Sequence, residues 1–429
     1  MSRRKSNFRL PTDFKYFKSS IKLLSFLIYM NMRHATIVVI GDIGHSPRTC
    51  NHAYSLALHG LKVNIVGYLN SKPHPKISFH ENIRITPISQ PPSFLSNNNQ
   101  ILRTLLLPFK FIWIFFILGI VLLRNCNNSA KNKNDILILQ NPPGIPTIFV
   151  CYIIAKIKRI LFVIDWHNYT FSMFGKNSLS QLLALLEGLF GRLSDYNFCV
   201  SNAMKNDLLK RWKINATVLY DRPPSWFFRP FEELEKCICS FANIPREENF
   251  WTPDEDFSIL LTALRNYDEY SQTNKSRLLP KLFVIITGKG PQKEFYLERI
   301  SAINWQNVFI LTEWLEAEDY PKILSCSDIG VCLHTSTSGF DLPMKVVDMF
   351  GSKIPVLAKR FPAISELVND QVNGILFDTD KDLEQAIIRV SEKFPMNQIL
   401  KELRDNVSKN FICWEENWEE VAWPLLKDE

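Results

Sequence analysis

The sequence predicts an α/β fold built as two doubly wound, Rossmann-like domains facing a cleft, and three observations carry that expectation. The chain has 429 residues, more than one ordinary core organises. Continuous apolar runs rich in β-branched residues alternate with helical patterns along most of it, as in parallel sheets covered on both faces. Polar segments recur where those runs end, the position at which open α/β sheets hold ligands. Composition agrees, because 46% hydrophobic and 22% charged residues leave little room for long disordered tracts.

Residues 1–33 read as a membrane-proximal segment: a stretch dense in Lys and Arg precedes the apolar run LLSFLIYM, 23–30. The run is shorter than the ~20 residues a spanning helix needs, and no small-residue cleavage site follows it. A signal anchor, an interfacial contact and a loosely defined terminus are all compatible with it. The first domain is expected over 34–230. It opens on the run HATIVVI, 34–40, and passes through GDIG into a helical stretch that stops at Gly60. Strands are expected at 62–68, 135–140, 161–165, 196–201 and 216–220, with an amphipathic helix over 179–193. LLLPFKFIWIFFILGIVLL, 105–123, carries one charge, Lys110, and is long enough to span a bilayer. The strand expected at 135–140 belongs to the same domain as those before it, so a crossing would put one sheet on two sides of the membrane. A helix or helix pair lying in one leaflet, with Lys110 reaching the headgroups, is the preferred reading; an all-round-buried core helix is the alternative. The second domain is expected over 231–429. Its first part, 231–252, lacks pattern; then come a helix over 256–270, strands at 281–287, 307–311, 329–333, 355–358 and 374–377, and a C-terminal stretch rich in Trp and Glu.

The strand ends carry the candidate chemistry. In HTSTSGFDLPMKVVDMFG, 334–351, Pro343 suits a first helical turn, so a helix is expected from about Leu342, with free N–H groups that favour a phosphate. Lys345 adds a cation, Thr335, Ser336 and Ser338 offer hydroxyls, and Gly339 permits close approach of a ligand. Asp341 and Asp348, two turns apart, are expected on one helix face to accept hydrogen bonds from sugar hydroxyls. Gly288, Lys289 and Gly290 close another strand and suit either a diphosphate or a tight turn. Trp314 follows a neighbouring strand and suits either a purine ring or the core. In the first domain, Gly41, Asp42, Gly44, Ser46 and Pro47 have the composition of a binding turn. They lack the G-x-G-x-x-G spacing of a dinucleotide site. Asp165, His167 and Asn168 gather at another strand end, and the run QNPPG, 140–144, closes a third.

Charge and cysteines exclude other classes. The net charge of +7 suits phosphate-bearing substrates or an anionic surface and lacks the basic stripe of a nucleic-acid binder. Nine scattered cysteines and eight histidines show neither metal spacing nor a disulfide framework, which predicts reduced thiols, a cytosolic face and no metal or other cofactor.

The segments IGDIGHSPR, LQNPPGIP, VIDWHNY, DEDFSILL, ITGKGP, WLEAEDYP and TSGFDLPMKVVDMFG together resemble the eukaryotic chitobiosyldiphosphodolichol β-mannosyltransferase family, in order and spacing from about His34 to the C-terminus. The resemblance implies a GT-B fold, attachment to the endoplasmic reticulum membrane with the active domains on the cytosolic face, and inverting transfer of mannose from GDP-mannose to chitobiosyl-diphosphodolichol. It gives Asp348 a ribose-binding role and Asp341, one place off the related pattern, a role at the hexose. An inverting displacement needs a base, for which Asp42 is the first nominee and His167 the second; Lys345 and the helix start would serve the leaving diphosphate. One departure stands out. The family carries an apolar strand directly before WTxDEDF, whereas here PREENF precedes Trp251. That raises a second reading, an inactive paralogue or isoform that partners other dolichol-pathway glycosyltransferases.

Overall fold

The computed structural model describes residues 33–427 apart from 96–99, 127–134, 176, 228–254, 289, 314, 316–318 and 337–338. The apolar run 23–30 and the patternless stretch 231–252 lie outside the described residues. Two compact units divide the chain: residues up to Ile138 with Val150–Phe162, and Leu139–Phe149 with Val163 onward.

Seven strands form the first sheet: β1 (His34–Asp42), β2 (Lys62–Tyr68), β3 (Ile83–Pro87), β4 (Ile136–Asn141), β5 (Leu161–Trp166), β6 (Tyr196–Cys199) and β7 (Thr217–Val218). Their order is β3-β2-β1-β4-β5-β6-β7, that of a doubly wound sheet reversing direction at β1. β1 is buried through its apolar run, and Asp135 Oδ1 accepts the His34 N–H at 2.8 Å, which fixes where it starts. β3 was not expected from sequence; it is a short edge strand with no fully buried side chain, so its pattern is weak.

Helix α1 (Pro47–Leu58) opens on a proline, where no N–H is needed. Helix α2 (Gln100–Asn125) carries the long apolar segment. Leu118 and Leu122 are buried, but Leu105, Phe109, Ile112, Phe116, Ile120 and Leu123 are exposed. This excludes the all-round-buried core helix. Beside it, Pro92, Phe94, Phe109, Trp113 and Phe116 line an apolar groove of ≈ 590 Å³.

In the second unit, helix α3 (Thr147–Lys158) begins after β4 and finishes in the first. Helix α4 (Ser178–Gly191) starts at Asn177, whose side chain accepts the Ser180 N–H. Helix α5 (Asn202–Trp212) is capped by Ser201. Helices α4 and α5 touch at Gly188, where a Cβ would lie 2.3 Å from Trp212 Cδ1.

The later strands are β8 (Leu282–Thr287), β9 (Val308–Glu313), β10 (Gly330–Cys332), β11 (Val356–Lys359) and β12 (Gly374–Phe377). Helix α6 (Phe257–Thr273) precedes them, and α7 (Lys293–Ser301), α8 (Tyr320–Cys326), α9 (Met344–Gly351), α10 (Asp380–Ser391), α11 (Gln398–Lys409) and α12 (Trp414–Val421) follow in order. These strands form two parallel sheets, β8-β9 and β10-β11-β12. Among the described residues no strand joins β8 to β10. One core nevertheless serves both: Ile286 and Val308 pack in a cluster with Leu357 and Phe377, under Leu264 and Tyr267 of α6 and Leu383 and Ile387 of α10. The C-terminal tryptophans are structural. Trp414 and Trp418 are fully buried, and the Trp414 N–H donates to Pro223 O at 2.9 Å, tying α12 back to the chain after β7.

The α4–α5 contact yields a test. Gly188→Ala should cost about 1–3 kcal/mol through overpacking, read as a lower urea midpoint with an unchanged slope.

Candidate active site

The loops after β4 and β5 converge on His167. Its Nε2 lies 3.0 Å from Asp165 Oδ2; Asp165 is 2% exposed, whereas 23% of the His167 side chain meets solvent. A carboxylate on Nε2 favours the tautomer with the ring proton there, which puts the lone pair on Nδ1. The His167 N–H donates to Asn141 O at 2.9 Å. Asn168 Oδ1 accepts the Tyr169 N–H at 2.8 Å, so this asparagine shapes its own loop.

Tyr169 connects that loop to the expected donor loop. Its ring meets Phe340 edge-on at 5.9 Å, and its hydroxyl donates to Asp207 Oδ2 at 2.8 Å. Burial and the Asp207 charge push its phenol far up. The Ser201 hydroxyl donates to Phe340 O at 2.5 Å. Asp165 and His167 therefore share a neighbourhood with the segment 339–343.

On that segment Gly339 has φ +80°, a conformation that favours glycine, and its N–H donates to Ser336 Oγ at 2.8 Å. The Ser336 hydroxyl donates to Asp341, and His334 Nε2 lies 3.7 Å from the other Asp341 oxygen. Thr335 leads into this turn beside Ser336. The helix begins at Met344, with Pro343 extended at φ −73°, ψ 117°, two residues later than expected. Asp341 is thus outside the helix, as expected, but with the helix starting at Met344 its seven-residue spacing from Asp348 no longer puts the two on one helix face. Leu342 is 7% exposed and packs in the core, so its side chain is not offered to a ligand.

Lys345 pairs with Glu255, a buried carboxylate just before α6. That pairing neutralises an ammonium expected to act as a bare cation. Asp348 sits one turn on and accepts from the Tyr320 hydroxyl. Burial lifts its carboxyl to about 7 despite that bond, with the Asp221 charge adding to the rise. Gly288 has φ +115° and its N–H donates to Glu313 O at 3.1 Å, while Gly290 O accepts the Lys293 N–H at 3.1 Å. This is a tight turn starting α7. Lys289, Trp314 and Ser338 lie outside the described residues.

The turn after β1 uses its polar groups internally. Asp42 Oδ1 accepts the N–H groups of Asn70 (2.9 Å) and Ser71 (3.2 Å), while Oδ2 accepts the Ser71 hydroxyl and lies 2.9 Å from His45 Nδ1. Burial alone would raise this carboxyl, but the Ser71 and Asn70 hydrogen bonds bring it below its ordinary value. Ser46 donates to Asp42 O at 2.8 Å, and Pro47 opens α1. A Cβ on Gly44 would fall 2.2 Å from Ser71 Oγ, so that glycine admits the neighbouring loop; a Cβ on Gly41 would make ordinary contacts. A saturated carboxylate with a lowered pKa is a poor proton acceptor, which corrects the first nomination of a base.

Sequence reasoning missed Glu255, Tyr320, Phe340 and Glu187. Glu187, a lone acid among the leucines of α4, is fully buried. A single carboxylate on an apolar helix was the available signal. Among the described residues no cluster of His, Cys, Asp and Glu has the makeup of a metal site.

The sequence model of glycosyl transferases group 1 matches residues 259–393. The chain is 35% identical to the chitobiosyldiphosphodolichol beta-mannosyltransferase of Homo sapiens, over 92% of this chain and 93% of that one. It is also 35% identical to the UDP-glycosyltransferase TURAN of Arabidopsis thaliana, over 91% and 97%. A glycosyltransferase of Rickettsia africae has a similar fold, with a TM-score of 0.60 at 18% identity over 93% of this chain and all of that one.

The raised Asp348 carboxyl sets a pH dependence. In the native state it holds a proton that the unfolded chain, with a pKa of about 4, releases. Its contribution is complete below about pH 4 and lost as pH rises through about 7. Wild-type stability should fall across that window by on the order of 2–4 kcal/mol relative to Asp348→Asn, measured by urea melts at pH 5 and pH 8.

Proposed function

Because the chain belongs to the chitobiosyldiphosphodolichol beta-mannosyltransferase family, with the GT-B fold, we propose that it is an inverting mannosyltransferase. It moves mannose from GDP-mannose to chitobiosyl-diphosphodolichol in assembly of the N-glycan precursor. Residues 34–230 form the acceptor half and 231–429 the donor half. It works at the endoplasmic reticulum membrane, with both halves on the cytosolic face and α2 lying in the near leaflet. The exposed apolar face of α2 and the apolar groove beside it support contact with lipid.

The single observation that carries the mechanism is the Asp165–His167 pair, held beside Phe340 through Tyr169. With Nε2–H given to Asp165, His167 Nδ1 takes the proton of the acceptor hydroxyl. The freed oxygen attacks the anomeric carbon from the face opposite the diphosphate. The bond to the phosphate oxygen breaks, and GDP departs with that electron pair. Asp341 and His334 hold the hexose, and Asp348 accepts from the ribose hydroxyls. The start of α9, with Lys345 aimed by Glu255, receives the diphosphate. Ser336, Gly339 and Gly288 line the donor, and Asn168 shapes the acceptor loop.

The divided sheet favours a second reading. A donor half whose strands β8-β9 and β10-β11-β12 are unjoined among the described residues suits a chain that has lost turnover and serves as an assembly partner of related glycosyltransferases. Turnover is favoured by the Asp165–His167 pair and by the hydrogen bonds that order Ser336, Gly339 and Asp341.

The test supplies the purified chain in lipid with labelled GDP-mannose and a chitobiosyl-diphospho-lipid. The product should be a trisaccharide lipid whose label β-mannosidase releases. His167→Asn should lower kcat by about 10²-fold or more with GDP affinity within about twofold, while folded Asp42→Asn keeps at least about a tenth of kcat. Asp348→Ala should weaken GDP binding at least about tenfold, the scale of two lost sugar hydrogen bonds. GDP binding without transfer would support the assembly partner instead, and full activity of His167→Asn would remove it as the base.

A further inference from the structure

Glu187 has no part in the chemistry described above, yet its surroundings are built around it. It stands in α4, fully buried, where a carboxylate is costly unless its oxygens are met by donors. Oε1 accepts from Asn141 Nδ2 at 2.8 Å, from the Thr170 N–H at 3.0 Å and from the Thr170 hydroxyl at 2.9 Å; Oε2 faces the Phe171 N–H at 3.5 Å. Burial pushes the carboxyl up while these bonds oppose the rise.

The donors lead outward to both acceptor-side loops. The Thr170 hydroxyl gives its proton to Glu187 and accepts the Gly144 N–H at 2.5 Å. Asn141 Nδ2 also donates to Asn168 O at 3.0 Å, and Asn141 O receives the His167 N–H at 2.9 Å. Glu187 is therefore two links from the His167 backbone. The loop also presses on the carboxylate: a Cβ on Gly144 would lie 2.8 Å from Glu187 Oε1 and 2.8 Å from Asn141 Oδ1.

One atom shows that orientation is what the network secures. Asn141 is fully buried, and its Oδ1 has no hydrogen-bond partner. Both amide bonds from Nδ2 would be lost if the side chain turned to satisfy that oxygen. A buried orphan acceptor is tolerated when the opposite end of the group is committed.

We propose that Glu187 is a positioning residue of the transfer reaction: it fixes Asn141, and through Asn141 the bearing of His167, without touching substrate. This rests on His167 as the base. It deepens that reading by saying what holds the base in place.

Three variants of the full chain test it. Glu187→Gln can keep an oxygen at the Oε1 position and should retain roughly a third of kcat, one hydrogen-bond acceptor being preserved. Glu187→Ala and Thr170→Val should each lower kcat by about 10- to 100-fold, the cost of a misplaced reacting group, with KM for GDP-mannose within about twofold. Thr170→Val leaves Glu187 in place, so it answers the question if Glu187→Ala fails to fold. Amide exchange measured without substrates should quicken at 141–146 and 167–171 in both, and remain unchanged at 344–351. A folded Thr170→Val or Glu187→Ala with kcat within twofold of wild type overturns the proposal. So does Glu187→Gln as damaging as Glu187→Ala, or exchange that stays slow at His167. An inactive wild type would overturn the reading of function, while the exchange arm would still decide whether Glu187 positions the loop.

Discussion

Phe340 is the point on which the site depends. Its carbonyl is taken by the Ser201 hydroxyl and its ring by Tyr169, so a turn beyond β10 is seated on the cap of α5 and on the loop after β5. The same helix start is secured a second time. Glu366, beyond β11, accepts the Asn202 and Ala203 N–H groups at 2.6 and 2.8 Å and the Tyr220 hydroxyl at 2.9 Å. A carboxylate on two free helix N–H groups is a favourable match of charge and dipole. With Ser201 as the cap, the amides at the start of α5 are thus directed to protein partners. The start of α9, proposed above for the diphosphate, has no side-chain cap from Pro343.

The chemistry assigned to each half follows from what its acids are doing. Asp42 is saturated by a neighbouring loop, Asp165 is committed to an imidazole, Glu187 to backbone and amide donors, and Glu255 to Lys345. Asp348 differs. Its described partner is a phenol, and its carboxyl lies at about 7. A carboxylate that burial disfavours and that few donors stabilise gains most from a ligand bringing two hydroxyls, the part proposed above for a ribose.

Much of this was legible in the sequence, for reasons that can be named. The β-branched runs at β1, β4 and β5 are buried on both faces, so composition alone marks them. β3 is exposed at an edge and carries no such mark. Loops at strand ends could be recognised as polar, but their use could not be read. The Asp42 turn looked like a binding turn because the residues that cap a neighbouring loop are the types that bind ligands; only the approach of Ser71, 29 residues on, distinguishes the two. Lys345 looked free because its partner Glu255 is 90 residues away. The helix start moved from Leu342 to Met344 because Pro343 adopts an extended conformation and Leu342 is drawn into the core. The division of the later strands into one pair and one triplet matches a segment, before Trp251, in which the sequence has no apolar run to place between β8 and β10.

The central claim is that the loop bearing His167 and the turn bearing Asp341 form one site, coupled through Tyr169 and Phe340. Amide hydrogen exchange with and without saturating GDP tests it most directly. Coupling predicts slower exchange both at 339–348 and at 165–171. Protection confined to 339–348, with 165–171 exchanging as in the free protein, would contradict it.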